Sequence, residues 1–346
     1  GSHERIHEEV QSTLAKARPV VPMEGTRLLG SGAVEFPAPL RVVESGEGWA
    51  PVDAQRPLVL KNLDKEFFPA DGYTKGDLLQ YYASIAPLLL PHLRGRAIVM
   101  SRYPDGAEGP SFYEKQAPSH RPDWLPLAPL HSQHRGEAIE FVTAPDVESL
   151  LWFVNLGAIE IHPWLSKATT PDLPTQAIFD LDPAEGADWE QVVVVAGLVR
   201  LILQRLGLEG HLKTSGATGL HIYVPLEPIY DYVRVRAFVE AVGRMIVAAA
   251  PDLATMEWDV PRRAGKVFID HNQNVGGKTI ASVYSVRPRP GAPVSTPIIW
   301  DEVEAIHPDD FTIATIWDRI ARFGDLFDPL LDGSQRLEAA EEALTT

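Results

Sequence analysis

Two periodicities alternate along this chain, a spacing of two and a spacing of 3.6 residues. Short apolar runs that end in a polar or turn residue predict strands at 58–60, 97–100, 111–115, 138–143, 160–162, 177–182, 211–215, 221–225, 267–270 and 279–285. Longer stretches at helical spacing predict helices at 78–90, 146–154, 189–206, 230–250 and 311–323. Thr74 opens the first of these with Asp77 three residues on, in the manner of a capping box. Pro87 is expected to kink or break that helix, and Pro91 to stop it. Asp188 caps the helix at 189–206. Pro104-Asp105-Gly106 reads as a turn, proline presetting φ and glycine supplying a positive φ. Strands alternating with long helices, one hairpin among them, indicate α/β or α+β architecture.

The pattern is weaker at both ends. Residues 4–16 have a short helical pattern, and 20–60 are rich in Pro and Gly with short apolar pieces such as Leu40-Arg41-Val42-Val43. Gly1-Ser2-His3 looks like a cloning scar. The expected organisation is an N-terminal tag and extension at 1–57, an α/β module at 58–135, a second, catalytic module at 136–300, and an acidic helical tail at 301–346.

Ala177-Ile178-Phe179-Asp180-Leu181-Asp182-Pro183 is the stretch on which the chemistry turns. Side chains alternate along a strand, so Asp180 and Asp182 point one way and Leu181 the other. Paired carboxylates at a strand end repel, and a divalent cation relieves the repulsion. A solvated strand end is the competing reading of this heptapeptide alone. Asp270 closes a second apolar strand; alone it reads as a solvated turn residue, but with Asp180 and Asp182 it would make the three acids that suffice for two-metal nucleotidyl or phosphoryl transfer. In Lys213-Thr214-Ser215-Gly216-Ala217-Thr218-Gly219-Leu220-His221, the two glycines would let backbone N–H groups face an anion, with Ser215 and Thr218 as further donors. Taken alone, the stretch is better read as a plain hairpin turn, and the P-loop lysine pattern is absent. His131-Ser132-Gln133-His134 reads as a loop. Phe112 and Tyr113 are adjacent, so at least one is expected in the core, the other being free to stack on a base.

Composition sharpens this picture at three points. A net charge of −16 argues against a generic nucleic-acid coat. Residues 262–289 nevertheless hold six bases (Arg262, Arg263, Lys266, Lys278, Arg287, Arg289) against one acid, while 301–346 hold 12 acids against three bases. A local basic face of that kind can hold phosphates on an acidic protein. The absence of cysteine excludes disulfides, thiolate zinc and a cysteine nucleophile. No signal peptide or membrane span is read, so a soluble, intracellular protein is expected.

Taken in order, these motifs resemble the polymerase domain of bacterial non-homologous end-joining ligases, within the archaeo-eukaryotic primase superfamily. The likeness runs from about Leu58 to Trp300 through Asn62-Leu63-Asp64-Lys65, Tyr73-Thr74-Lys75, Tyr81-Tyr82, Arg102-Tyr103-Pro104-Asp105-Gly106 and Phe112-Tyr113-Glu114-Lys115. It continues through Glu160-Ile161-His162, Phe179-Asp180-Leu181-Asp182-Pro183, Thr214-Ser215-Gly216, Gly219-Leu220-His221 and Phe268-Ile269-Asp270-His271-Asn272-Gln273-Asn274. The resemblance implies an α+β primase-polymerase fold, with an RNA-recognition-motif-like catalytic sheet packed on an N-terminal α/β module. It implies that Asp180, Asp182 and Asp270 are catalytic and hold two Mn²⁺ or Mg²⁺ ions. His162, Ser215, Gly216, Gly219, His221, Arg263, Gln273, Lys278 and Arg287 would bind the NTP or dNTP, His162 near its sugar. Lys65, Lys75, Arg102, Phe112 and Tyr113 would bind DNA, the lysines at a 5′-phosphate and the aromatic pair on the template.

The implied activity is template-directed extension across short gaps, nicks or 5′-phosphorylated breaks, with ribonucleotides preferred and a separate DNA ligase as partner. De novo priming, and DNA-end binding or synapsis, are the alternatives. A metal-dependent phosphoesterase would suit the carboxylates but not the nucleotide motifs. Thr218 stands where the family has a lysine, and Tyr113 where phenylalanine is common. With no fused ligase or nuclease and an extra segment at 4–57, the layout resembles a stand-alone mycobacterial-type primase-polymerase, expected as a monomer.

Overall fold

The computed structural model describes residues 24–131 and 136–346. The helical pattern at 4–16, and Ser132, Gln133 and His134, lie outside the described residues. The chain forms two compact units. One runs to Pro163 and takes back Tyr284–Val294 and Phe311–Asp325; the other holds Trp164–Val283, Ser295–Asp310 and Leu326–Thr346. The break at Pro163 comes later than the change of pattern near residue 136.

The first unit begins with an antiparallel meander of β1 (Thr26–Leu28), β2 (Arg41–Ser45) and β3 (Gly48–Pro51). A short pair, β4 (Glu66–Phe68) and β5 (Tyr73–Thr74), leads into helix α1 (Lys75–Leu93). Strands β6 (Ile98–Arg102), β7 (Phe112–Glu114), β8 (Leu127–His131) and β9 (Ala138–Val142), helix α2 (Val147–Asn155) and strand β10 (Ala158–Pro163) complete it. Its main sheet has the order β10-β6-β9-β8, with β7 also paired to β6.

Helix α1 starts as the sequence predicts: the Thr74 hydroxyl accepts the Asp77 N–H, and the Asp77 carboxylate accepts the Thr74 N–H. It does not break at Pro87 or stop before Pro91, but continues to Leu93. Leu78, Leu79, Tyr81, Tyr82, Ile85, Leu88 and Leu89 are all buried, and burial on that scale outweighs the roughly 3 kcal/mol cost of an interior proline. The strand expected at 58–60 reduces to a single bridge, Leu60 to Trp49, and that expected at 279–285 to another, Thr279 to Trp164. Tyr284 takes a φ of 66°, which ends extended backbone there.

Asp77 also fastens the preceding segment. Wholly buried, it accepts the Ser31 N–H at 2.9 Å and the Ser31 hydroxyl at 2.7 Å besides the Thr74 N–H at 2.9 Å. Asp77→Ala leaves those donors unpaired and is expected to destabilise the protein by about 3 kcal/mol, read as a shift of the urea midpoint at constant m-value.

The second unit is built on one six-stranded sheet. It comprises β11 (Gln176–Pro183), β12 (His211–Thr214), β13 (Leu220–Pro225), β14 (Ala254–Thr255), β15 (Val267–Asp270) and β16 (Pro297–Ile298) in the order β14-β15-β11-β13-β12-β16. Helices α3 (Trp189–Arg205) and α4 (Tyr232–Ala249) pack on β11. The Phe179 ring meets Phe238 of α4 at 6.5 Å, so Phe179 and Leu181 face the helices. Asp180 and Asp182 consequently look out of the other face. Helix α5 (Ile316–Phe323) belongs to the first unit and is shorter than the predicted 311–323. The acidic C-terminal segment forms α6 (Glu338–Thr345), held to α4 by Arg234 and Glu341 at 2.7 Å. Among the described residues no helix is long and apolar enough to cross a membrane.

Candidate active site

Antiparallel register gathers the chemistry of the second unit into a row. Asp180 on β11 stands opposite Asp270 on β15 and opposite His221 on β13, and His221 stands opposite Lys213 on β12. Residues opposed in a ladder share a face. Four neighbouring strands therefore carry Asp270, Asp180, His221 and Lys213 side by side. His221 Nε2 is 3.2 Å from Asp180 Oδ1, and Lys213 Nζ is 2.9 Å from His221 Nδ1. Asp182 lies two residues past Asp180 on the same face, half-buried at the strand's open end and opposite Phe268.

Asn274 explains why β15 ends at Asp270. Its side-chain amide accepts the Ile178 N–H at 2.9 Å and donates to the Ile178 carbonyl at 2.8 Å, continuing the ladder after the backbone has turned away. The turn between them is a 3₁₀ helix, His271–Asn274, in which Asp270 Oδ1 accepts the Asn272 N–H at 3.0 Å. Gln273 sits in this turn.

The donors are three carboxylates on two paired strands, a hard oxygen set that fits Mg²⁺ or Mn²⁺. Asp182 and Asp270 open onto one cleft of about 610 Å³, walled by Glu185, Trp258, Arg263 and Phe268. The register brings Asp180 and Asp270 together. Among the described residues, however, no three acid or histidine side chains are gathered into a ready-made metal cage.

The glycine turn is built differently from a phosphate cradle. Ser215 Oγ accepts the N–H of Ala217 at 3.0 Å and of Gly219 at 2.9 Å, so two amides expected to face an anion are spent on their own serine. Gly216 supplies the turn's positive φ of 76°. Gly219 answers a close approach: a Cβ there would lie 2.4 Å from the Leu181 carbonyl and 2.7 Å from Asp182 Oδ1.

The basic run at 262–289 is divided. Arg262, Arg263, Lys266 and Lys278 belong to the second unit, Arg287 and Arg289 to the first. Arg263 donates to the carbonyls of Glu257 and Trp258 at 2.7 and 2.6 Å and stacks on Phe268 at 3.6 Å. Lys278 Nζ lies 5.7 Å over the exposed Trp258 ring.

The first unit has two charged sites of its own. In one, Glu160 binds His162 Nε2 at 2.6 Å and Arg287 Nε at 3.3 Å, all three on buried or half-buried side chains. Burial alone would raise the Glu160 pKa; the His162 hydrogen bond and the Arg287 charge outweigh it and hold the carboxyl below its usual range. Tyr82 places this group, donating to Ile159 and accepting the Val286 N–H at 3.0 Å. Tyr113 meets the His162 ring edge-on at 5.6 Å. Phe112 is 46% exposed and Tyr113 66%, so neither is the core residue that one of them was expected to be. Strand β7 pairs on the β6 edge and presents both rings to solvent.

In the other, Lys65 reaches Asp105 at 2.8 Å and Lys75 donates to the Lys61 carbonyl at 2.8 Å. Burial, then the charges of Lys65 and Arg102, lower the Lys75 ammonium from 10.5 to about 8. Three cations are thus held within each other's field, an arrangement suited to an anion. Arg102 binds Glu114 at 2.8 Å and lies 5.0 Å over Phe112.

The family model described as the LigD primase-polymerase domain matches residues 74–327. The chain belongs to that family. Its chemistry is nucleotidyl transfer. Over 273 residues it is 34% identical to the multifunctional non-homologous end joining protein LigD of Mycolicibacterium smegmatis, covering 78% of this chain and 36% of that protein. The bifunctional LigD of Bacillus subtilis is 33% identical over 270 residues, covering 77% and 43%. Of the solved structures, the polymerase domain from Mycobacterium tuberculosis ligase D in complex with DNA superposes with a TM-score of 0.74 at 33% identity, over 82% of this chain and all of that one. The chain spans well under half the length of these curated relatives.

For a LigD primase-polymerase domain, the α+β reading and the membership drawn from the motifs are both correct. Sequence reasoning gave no role to Glu160, Lys213 and Phe268, which stand in its motifs, and missed Trp258 altogether. Glu160 had a signal, an acid two residues before His162 on one strand face; Trp258 had none.

Proposed function

We propose that this LigD-type domain extends a primer 3′-hydroxyl across short gaps at DNA breaks, in the repair process for which its relatives are named. The observation that carries the reading is the pairing of Asp180 with Asp270 across β11 and β15, with Asp182 on the same face at the mouth of a cleft that Arg263 also lines. In this reading Asp180, Asp182 and Asp270 hold two divalent cations. Bound there, the ions supply charge stabilisation for the attacking oxygen and the leaving pyrophosphate. The protein's own part is positional. Arg263, braced by Phe268 and two carbonyls, points fixed positive charge at the triphosphate. His221, Ser215 and Gln273 are the further nucleotide contacts, Gly216 and Gly219 shape the turn, and Lys278 steadies the rim. His162, braced by Glu160 and Arg287, is the sugar contact, and ribonucleotides are the preferred substrates. Phe112 and Tyr113 stack on template bases, and Lys65, Lys75 and Arg102 hold a 5′-phosphate. The filled gap then passes to a DNA ligase.

One assay tests this reading. On a gapped duplex with Mn²⁺ or Mg²⁺, extension is expected from NTPs faster than dNTPs, and faster with a 5′-phosphate than a 5′-hydroxyl across the gap. No extension from either substrate would refute the reading, and dinucleotide synthesis without primer would favour priming.

The phosphate pocket gives a second result with a pH signature. Lys65→Ala and Lys75→Ala are each expected to erase most of the preference for 5′-phosphate, a loss of about 1–2 kcal/mol of discrimination. Lys75 is charged below about pH 8 in the folded protein and neutral above it. The wild-type preference is therefore expected to fade as pH rises through 8, with proton uptake on phosphate binding near that pH. Lys75→Arg stays charged and should flatten the profile. Anisotropy titrations of phosphorylated and unphosphorylated gaps between about pH 7 and 9 read both effects.

A further inference from the structure

Lys213 is fully enclosed, yet carries a group that is costly to bury. Its ammonium lies among three acceptors: His221 Nδ1 at 2.9 Å, the Ala281 carbonyl at 3.0 Å and Ser295 Oγ at 2.5 Å. A protonated lysine has three N–H donors and no acceptor. The Ala281 carbonyl can only accept. Ser295 gives its own proton to the Thr214 carbonyl at 2.7 Å, so it offers lysine a lone pair. Charged, the lysine can only donate to His221 Nδ1, which must then carry a lone pair too. On the other side of the ring, Nε2 faces Asp180 Oδ1 at 3.2 Å. That contact is an ion-pair distance rather than a hydrogen bond; with Nδ1 accepting from the lysine, the proton of the neutral ring is on Nε2. A ring flip would put carbon against both partners.

We propose that Lys213 is a positioning residue for nucleotidyl transfer, locking His221 as the Nε2–H tautomer and aiming that N–H at the face carrying Asp180. It sits one strand behind His221 in the row. Methionine would fill similar volume without a buried charge, so packing alone does not call for lysine here. The kinetic half of the inference rests on the reading of this face as the reactive one; the tautomer does not.

Long-range ¹H–¹⁵N correlation spectra of ¹⁵N-histidine-labelled protein distinguish the two imidazole tautomers, and His221→Gln identifies the His221 signals by their loss. In the wild type, Nε2–H alone is expected; Nδ1–H or a mixture overturns the proposal. In Lys213→Met, both tautomers are expected to appear at His221. The kcat for extension should fall about 10- to 100-fold, while KM for primer–template stays within about twofold. A folded Lys213→Met protein that keeps a single tautomer, or the wild-type kcat, overturns it. If that variant fails to fold, the wild-type spectrum still decides. If the chain proves unable to extend a primer, the spectrum separates failure of the functional reading from failure of this one.

Discussion

Asp182→Ala is expected to lower the single-turnover rate of gap extension by about 10³-fold while leaving fold and DNA affinity in place. The carboxylate sits half-buried at the open end of β11, on the face away from α3 and α4, so its removal opens no cavity in the core. The backbone of β11 still pairs with β15 at Asp182 and Pro183. Losing one of three neighbouring negative charges relieves repulsion, and the melting temperature should hold or rise slightly. In the proposed mechanism Asp182 is a ligand to the cations, and a two-metal centre that loses a ligand loses both alignment and charge stabilisation. Binding to a gapped duplex, measured by anisotropy, should change less than about twofold, because the DNA contacts assigned here lie on other residues. Extension at more than about a tenth of the wild-type rate would put the reactive centre elsewhere.

Much of the site was legible in the sequence, because strands write their faces in alternate residues. Asp180 and Asp182 fall on one side of β11 and Phe179 and Leu181 on the other by that rule alone. Asp270, ninety residues on, is the harder case. An apolar strand ending in an acid marks it, but its partner across the ladder is a matter of long-range register, which no local pattern states. Local signals failed where tertiary contacts overrode them. Pro87 and Pro91 read as breaks in α1, and burial carries the helix through both. The two aromatics of β7 read as one inside and one outside, yet both are exposed, since that strand lies on the β6 edge. The glycine turn left an anion cradle open beside the favoured hairpin, because sequence shows where N–H groups can point, not that Ser215 will claim them. Lys213 lay hidden for a related reason. A lysine in a short strand reads as solvated, and only the fold brings His221, Ala281 and Ser295 around a buried ammonium.

Gly219→Ala tests how tightly that turn is tied to the acids. The added methyl would sit 2.4 Å from the Leu181 carbonyl and 2.7 Å from Asp182 Oδ1, both far inside contact distance. The carboxylate can rotate away, but the carbonyl is fixed: Leu181 pairs with Leu220 across the β11–β13 ladder and with Ile269 across β11–β15. The strain must therefore open the end of β11, where Asp180 and Asp182 stand. The expected result is a loss of about 2–3 kcal/mol in stability and about 10²-fold in extension rate, with rate and stability falling together. Gly197 makes the contrast within the same unit. It lies exposed in α3, and a Cβ there meets nothing within 4 Å. Gly197→Ala should stabilise the protein by about 0.5–1 kcal/mol through helix propensity and leave extension untouched. If the two alanines behaved alike in denaturant melts and extension assays, the close packing of the glycine turn against the acidic strand end would be wrong.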